Sequence, residues 1–516
     1  MLLAVVLSVP ILTILVNLFA GPGESWGHIV DHLLGDYIAN SLFLVVVGGG
    51  LALLFGVIPA WAVSRYAFPF RRWLEWALVL PMAIPNYLTA YAYAGVFDYG
   101  GAVDSLLGLK IDVMNRWGLA LVLSASLYPY VYVTTRSFFI TQSGAQVNAA
   151  LLLGVRESTL FQRIALPLAR PAVAAGMFLV LMEILSDYGA TYHYGVSTFT
   201  TGIFRTWFGL GEPDTSVYLS AILCVFVLIL ILLERYQRRR KGYVFGSSES
   251  QMVRVSPARF WKVVLTVGCS IPVFLGFLMP FGQMVYWAKL TAATVWNDEF
   301  ISFIGYTFLL AGLSALLCVG VSYGLIYGSR WSRSDGVALV SKFATMGYSV
   351  PGVIIAVGIL IPGLLFDRWL IRMADHLMGW QMGFLINGTI IGLLFAYGVR
   401  FLAVSFNPIE ASANKIGRNV GYAGQVLGIS KWRRTVEINL PLLKKGLLGG
   451  ALLVFVDVMK ELPITLLLKP YGVMTLATKA YEYASDERIA ESALPSLVII
   501  AVGLLPVILI NRLTRR

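Results

Sequence analysis

Long apolar stretches recur along the 516-residue chain and alternate with shorter polar segments. A helix that crosses a bilayer needs about 20 mostly apolar residues. The pattern predicts twelve such spans, near residues 2–20, 39–63, 76–97, 117–133, 172–190, 217–233, 263–287, 303–327, 343–366, 383–405, 446–468 and 493–511. The expected fold class is an all-α polytopic membrane protein, and we interpret the first stretch as an uncleaved span.

The composition agrees with this fold class and excludes a soluble domain. Hydrophobic residues make up 58% of the chain, and the mean hydropathy is +0.77, which is typical of a membrane protein. The three cysteines all lie in apolar runs without metal-ligand spacing, so we expect small buried hydrophobic residues rather than disulfides.

Positive charge is distributed unevenly over the predicted loops. With the N-terminus placed inside, the inner loops hold 29 of the 39 Lys and Arg residues, the outer loops hold 9, and Lys460 lies within a span. Inner loops of membrane proteins are enriched in Lys and Arg. The distribution therefore predicts that both termini are cytoplasmic, and it explains the net charge of +12 without a nucleic-acid partner.

One polar segment occurs twice. The first copy has Gly154, followed after nine residues by Ile164 and then by Leu166 and Pro167. The second copy has the same residue types at the same spacing, as Gly428, Ile438, Leu440 and Pro441. An internal repeat of this kind organises the whole chain. We predict a first repeat at 1–240, a basic cytoplasmic linker at 241–262 and a second repeat at 263–516. Six spans in each repeat keep the two halves parallel.

Both copies resemble the cytoplasmic "EAA" loop of ABC importer permeases, at 146–170 and 420–445. The motif's glutamate is replaced by Asn148 in the first copy and by Tyr422 in the second. The two positions that follow it are Ala149 and Ala150 in the first copy, and Ala423 and Gly424 in the second. The resemblance implies that each loop forms a coupling helix that docks on a cytoplasmic ATPase. The alternative is a surface helical hairpin. Glycine suits a bend between short helices, and proline suits the first turn of a helix.

The sequence lacks the motifs of an ATPase or a hydrolase. No lysine follows a glycine, so a phosphate-binding loop of the form G-x-x-x-x-G-K-[ST] is absent. The chain is therefore predicted to be no enzyme, and any ATP–Mg must bind to another subunit. His28 and His32 have a spacing that suits a metal ion, but a solvated outer helix explains them equally well, and the metal ligands stay unassigned.

Two acidic pairs occupy predicted spans at the same offset that relates Gly154 to Gly428. Glu183 and Asp187 correspond to Asp457 and Glu461, and the members of each pair share one helix face. Carboxylates within a span face a cavity or a partner. We interpret the pairs as candidates for the translocation pathway. For the second pair, internal pairing with Lys460 is an equal alternative.

The wider sequence is similar to the fused ferric-iron importer permeases of the bacterial inner membrane. The resemblance is carried by LPMAIPNYLTAYAYAGVFDYGG, SDYGATYHYGVSTFTTGIFRTWFGLG and the segment from VFVDVMKELPITLLLKP to ESALP. It implies Fe³⁺ as substrate, a periplasmic protein that delivers ferric iron, and two copies of a cytoplasmic ATPase. Fused thiamine and phosphonate permeases are the alternatives, and a secondary transporter is a remote one.

Overall fold

A computed structural model of the protein describes residues 2–19, 21–141, 144–239, 253–332, 345–379, 383–416 and 426–514. Within these ranges the chain is almost wholly helical, and its one β-type pairing is a parallel bridge between Tyr66 and Val255. Most of the predicted linker, 241–252, lies outside the described residues. The helices form two compact units.

One unit, which we call the 296–479 unit, comprises Met1–Pro22, Ser216–Cys224 and Trp296–Lys479. Its α-helices are Leu2–Asn17, Asp298–Ser332, Gly352–Met378, Ile390–Lys415, Lys431–Arg433, Leu440–Leu442, Lys444–Lys460, Pro463–Leu468 and the start of Leu476–Ser485, with a 3₁₀ turn at Thr345–Ser349 and a π turn at Arg434–Asn439.

The other unit, which we call the 23–215 unit, comprises Gly23–Thr215, Val225–Val295 and Ala480–Arg516. Its α-helices are Trp26–His32, Leu34–Phe43, Gly49–Arg65, Arg71–Ala77, Asn86–Phe97, Ala102–Leu107, Arg116–Thr141, Gly144–Leu152, Glu157–Leu160, Leu166–Ser186, Gly189–His193, Phe199–Phe204, Arg259–Val273, Met279–Val295 and Ala493–Thr514. The 3₁₀ turns are Leu80–Ala83 and Ile489–Ser492, and the π turns are Leu44–Gly48, Phe161–Ala165, Arg205–Gly209 and Phe274–Leu278.

Both units take residues from the two sides of the predicted linker. The helix Pro213–Arg239 contributes to both of them, and Leu476–Ser485 ends in the 23–215 unit. The boundaries of the two sequence repeats stay a prediction.

The all-α membrane fold is confirmed, and nine helices in the described residues are long and apolar enough to cross a bilayer. Several of the twelve predicted spans are interrupted in the described residues, and span 172–190 breaks at Asp187, between the helices Leu166–Ser186 and Gly189–His193. Span 76–97 is divided into Arg71–Ala77, Leu80–Ala83 and Asn86–Phe97, because Pro81 and Pro85 remove backbone donors. Span 446–468 is divided at Glu461, before Pro463.

Close helix contacts in each unit depend on small residues. In the 23–215 unit a Cβ on Gly56 would lie 2.6 Å from Cβ of Val131, so Gly49–Arg65 lies directly against Arg116–Thr141. In the 296–479 unit a Cβ on Gly358 would clash with the Pro10 carbonyl oxygen. Small residues allow membrane helices to approach closely, and this contact holds the first helix against Gly352–Met378.

Candidate functional site

The first repeated segment forms a short helix that ends in a sharp turn. After the helix Gly144–Leu152, the Gly154 N–H donates to the Leu151 carbonyl at 3.0 Å and the Val155 N–H donates to the Ala150 carbonyl at 3.1 Å. These two bonds are those of a Schellman motif. Gly154 has φ of +82°, a left-handed conformation that glycine adopts without steric cost.

The second repeated segment has the same bend. Gly428 has φ of +68°, so the backbone turn expected at both glycines is present. Each segment then passes through a π turn, Phe161–Ala165 or Arg434–Asn439, into a helix whose first turn contains Pro167 or Pro441. Two segments that are distant in the chain thus share one backbone pattern.

The remaining residues predicted for ATPase coupling differ in exposure. Ala149 is exposed and Ala150 is buried, whereas Ile164 and Ile438 are partly buried. Leu166 is partly buried, and Leu440 is exposed. Ala423 and Gly424 lie outside the described residues. The coupling role of these residues stays a prediction.

An exposed apolar pair precedes each bend. Leu152 and Leu153 are 90% and 85% exposed, and their counterparts Val426 and Leu427 are 87% and 75% exposed. Contiguous exposed apolar side chains mark surfaces that a partner covers. Sequence reasoning missed these residues, although their apolar character directly before a repeated glycine was a usable signal.

A buried arginine holds the first segment in place. Arg65, whose side chain is 1% exposed, forms an ion pair with Glu157 and donates to the Val253 carbonyl. The Val255 N–H donates to the Arg65 carbonyl at 3.0 Å, and the Ala67 N–H donates to the Val255 carbonyl at 2.9 Å. The segment is therefore tied to the end of the helix Gly49–Arg65 and to the linker.

Asp187 and Glu461 have the same local structure. Both are extended, with φ and ψ of −69° and 125° and of −71° and 122°, and each ends a long helix. The Thr191 hydroxyl donates to the Asp187 carbonyl at 3.0 Å, and the Thr465 hydroxyl donates to the Glu461 carbonyl at 2.9 Å. Equivalent partners at equivalent positions indicate that the break is part of the repeat.

Both carboxylates accept bonds from the short helix that follows the break. Asp187 Oδ1 accepts from the backbone N–H groups of Ala190 at 3.0 Å and Thr191 at 3.1 Å. Glu461 Oε1 accepts from the Ile464 N–H at 3.0 Å. A carboxylate at a helix N-terminus satisfies unpaired donors and interacts favourably with the helix dipole.

The second pair also has basic partners. Asp457 Oδ1 lies 3.3 Å from Lys460 Nζ, and Glu461 Oε2 lies 3.4 Å from Arg400 Nε. The predicted total of 29 inner-loop Lys and Arg residues counts Arg400, and this was wrong, because Arg400 is buried inside the helix Ile390–Lys415. Glu183 is partly exposed on Leu166–Ser186. A pathway role for the four carboxylates stays a prediction.

Comparison with known proteins identifies the family to which these features belong. Residues 52–240 match the binding-protein-dependent transport system inner membrane component family. This part of the chain is a permease domain of that family. The matched residues include the first repeated segment and the Asp187 break.

Similar proteins extend the match over the rest of the permease. The Fe(3+)-transport system permease protein FbpB 2 of Haemophilus influenzae is 24% identical over 93% of this chain and 90% of its own. The sulfate transport system permease protein CysT of Salmonella typhimurium is 25% identical over 43% of this chain and 84% of its own. A probable ABC transporter permease protein of Sinorhizobium fredii is 21% identical over 83% of this chain and 78% of its own.

These matches confirm several predictions. The chain is an ABC permease with the all-α type I permease fold, and it is the membrane subunit rather than an enzyme. It is a multi-pass membrane protein, and its family acts with an ATPase and a substrate-binding protein.

Proposed function

We propose that this permease moves ferric iron from the periplasm to the cytoplasm across the bacterial inner membrane, driven by a separate ATPase. The observation that carries the proposal is the pair of equivalent segments that bend at Gly154 and Gly428 and present exposed apolar side chains. The similar Haemophilus protein, named as an Fe(3+) permease, supports iron as the substrate because the similarity covers 93% of this chain.

Each repeated segment docks one ATPase subunit, so the complex contains two copies. Each segment inserts its exposed apolar pair into an apolar groove of the ATPase, as anchor residues do in helix-in-groove recognition. The pair is Leu152 and Leu153 in the first segment, and Val426 and Leu427 in the second. Gly154 and Gly428 set the angle at which the anchors leave the membrane domain. ATP–Mg binds to the ATPase, and this chain binds no nucleotide.

Both termini and both repeated segments face the cytoplasm. The support is the loop charge, since 28 of the 39 Lys and Arg residues lie in the predicted loops on that side once Arg400 is left out. The opposite side receives a periplasmic binding protein loaded with ferric iron.

Glu183, Asp187, Asp457 and Glu461 supply negative charge along the pathway. Carboxylate oxygens suit hard cations, and a charged, low-dielectric passage raises the local concentration of an oppositely charged substrate. The breaks at Asp187 and Glu461 support this role. Irregular backbone at membrane depth is tolerated where it is buried in protein or lines a water-filled cavity.

Sulfate is the second candidate substrate, because several similar proteins are named as sulfate permeases. Those similarities cover less than half of this chain. Lys460 and Arg400 offset the charge of Asp457 and Glu461, and the negative charge of Glu183 and Asp187 would disfavour a dianion, which favours the cation.

The test is transport by the reconstituted complex. The permease, its ATPase and its binding protein are placed in liposomes, and ATP-dependent uptake of radioactive iron and of radioactive sulfate is measured side by side. Iron uptake that requires ATP and the binding protein is expected. Sulfate uptake without iron uptake would overturn the substrate assignment, and uptake of either without the ATPase would overturn the mechanism.

A further inference from the structure

Three tyrosines converge directly after the break at Asp187. Tyr188 and Tyr192 lie one helical turn apart, and Tyr481 reaches them from the helix Leu476–Ser485. The hydroxyl oxygens of Tyr188 and Tyr481 are 2.9 Å apart. The ring centroids are separated by 5.5 Å (Tyr188 to Tyr192), 5.7 Å (Tyr188 to Tyr481) and 5.9 Å (Tyr192 to Tyr481). All three belong to the 23–215 unit.

The cluster combines a buried phenol with an accessible one. Tyr188 is buried, with its ring stacked on Phe204 at a centroid distance of 3.7 Å. Tyr192 is 51% exposed, and its ring centroid lies 5.9 Å from that of Tyr481. The cluster therefore places a half-exposed phenol beside a buried one whose stacked ring is held in position.

The other repeat shows that packing alone does not require these hydroxyls. At the offset that relates Asp187 to Glu461, Tyr188 corresponds to Leu462 and Tyr192 corresponds to Leu466. Leu462 is buried after the equivalent break at Glu461. The fold therefore accepts leucine at both positions, and the first repeat has phenols where an apolar side chain suffices.

The geometry suits a small, hard cation. The Tyr188 and Tyr481 hydroxyls share a hydrogen bond at 2.9 Å. An octahedral ion with two ligands at right angles, each about 2.0 Å away, would hold those ligands about 2.8 Å apart, so an ion that replaced the hydrogen bond would need little movement of the two oxygens. Oxygen ligands suit hard metal ions. A phenol that binds Fe³⁺ loses its O–H proton, which passes to a hydroxide or carboxylate that leaves the ion.

We infer that Tyr188, Tyr192 and Tyr481 form a transient ferric-iron site that the ion occupies while it passes the Asp187 break. This inference rests on the proposed function, because it takes iron as the substrate. Occupation is brief, since transport requires that each site release the ion. Tyr188 and Tyr192 come from the first repeat and Tyr481 comes from the second, and at the positions equivalent to Tyr188 and Tyr192 the second repeat has leucines.

The test uses the full-length permease with its ATPase in lipid nanodiscs, titrated with ferric citrate. Phenolate bound to Fe³⁺ gives a visible charge-transfer band and phenolate modes in the resonance Raman spectrum. We expect both in the unaltered protein. They should be lost in Tyr481→Phe and in the double variant Tyr188→Leu with Tyr192→Leu, which copies the residues of the other repeat. In liposomes that contain the ATPase and the binding protein, ATP-dependent iron uptake should fall about tenfold or more in both variants.

Tyr93→Phe is the matched control. Tyr93 is a buried tyrosine of the same unit whose hydroxyl donates to the Leu275 carbonyl at 3.0 Å. This variant should keep the band and the uptake. If Tyr481→Phe fails to assemble, the same spectra are recorded for Tyr192→Phe, a substitution at the half-exposed position, and loss of the band in that variant is then the expected result.

The outcomes separate the inference from the proposed function. A band that persists in the Tyr481 and double variants, or iron uptake without any band in the unaltered protein, overturns the tyrosine site and leaves iron transport standing. Uptake of sulfate in place of iron overturns the proposed function and the site with it.

Discussion

Asp187 and Glu461 show how one carboxylate can serve folding and transport at the same position. A charged group at membrane depth is costly unless it has partners. Asp187 has the N–H groups of Ala190 and Thr191, and Glu461 has the Ile464 N–H and Arg400. Helix capping explains why the carboxylates are tolerated, but capping alone does not require charge, because asparagine caps as well as aspartate.

Replacing Asp187 by asparagine and by alanine separates the two roles. Asp187→Asn keeps an acceptor for the Ala190 and Thr191 N–H groups, so the melting temperature should stay close to that of the unaltered protein while iron uptake falls. Asp187→Ala loses the cap as well and should be destabilised by about 1 kcal/mol more. Thermal melting in detergent and uptake in liposomes are the measurements. Normal uptake by the stable Asp187→Asn protein would contradict the pathway role.

Gly154 and Gly428 have a backbone conformation that is strained in residues with a side chain. A Cβ at a left-handed residue costs roughly 1–2 kcal/mol, so Gly154→Ala and Gly428→Ala together should shift the bend and weaken ATPase binding. Copurification of the ATPase and coupled uptake should both decline. Gly100→Ala is the control, because Gly100 has φ of +74° and a Cβ there would meet no neighbour within 4 Å. Full assembly and transport in the double variant would refute the docking assignment.

At the scale of elements, the first repeated segment is held by its neighbours. Arg65 connects three pieces of chain: the end of its own helix, Glu157 and the linker carbonyl of Val253. The Asn148 side chain lies 3.5 Å from the Val253 N–H, which adds a second tie to the linker. The exposed pair Leu152 and Leu153 is therefore presented from an anchored base.

Removing the two partners of this ion pair should have unequal effects. Arg65 is buried, so Glu157→Gln leaves a buried guanidinium charge without its counter-charge, at a cost of about 3 kcal/mol. Arg65→Met removes the buried charge and leaves unpaired only Glu157, which is 37% exposed, so it should cost about 1 kcal/mol for the lost bond to the Val253 carbonyl. Thermal melting measures both, with the exposed Arg259→Met as the control. Equal effects of the two substitutions would contradict a buried anchor.

The contact between the first helix and Gly352–Met378 depends on Gly358. Gly358→Leu places a side chain against the Pro10 carbonyl and should destabilise the 296–479 unit by about 1–3 kcal/mol. Gly320→Leu is the control, because a Cβ there meets no neighbour within 4 Å. The readout is melting temperature, together with protease sensitivity of the first helix. Equal stability of the two variants would show that the contact is not needed.

At the scale of the whole molecule, periodicity and spacing predicted the class, the repeated bends and most spans. Pro81 and Pro85 carried a readable signal for the first broken span. The sequence carried no such signal for the break at Asp187, because no proline lies near it. The cause of this break is a carboxylate cap that forms when the chain folds. The ion pair between Arg400 and Glu461 was missed for a related reason. Its two residues are far apart in the sequence, and sequence patterning does not reveal such contacts.

Orientation in the membrane follows from charge summed over the whole chain and can be tested with two single cysteines. Ser256 lies in the exposed part of the linker, and Tyr471 is fully exposed in a predicted outer loop. The native residues Cys224, Cys269 and Cys318 are buried, and buried thiols react poorly, so background labelling should be low. An impermeant maleimide should label Tyr471→Cys in spheroplasts and Ser256→Cys only in inverted vesicles. The reverse pattern would place the repeated segments on the periplasmic side, where no ATPase could reach them, and would overturn both the orientation and the coupling mechanism.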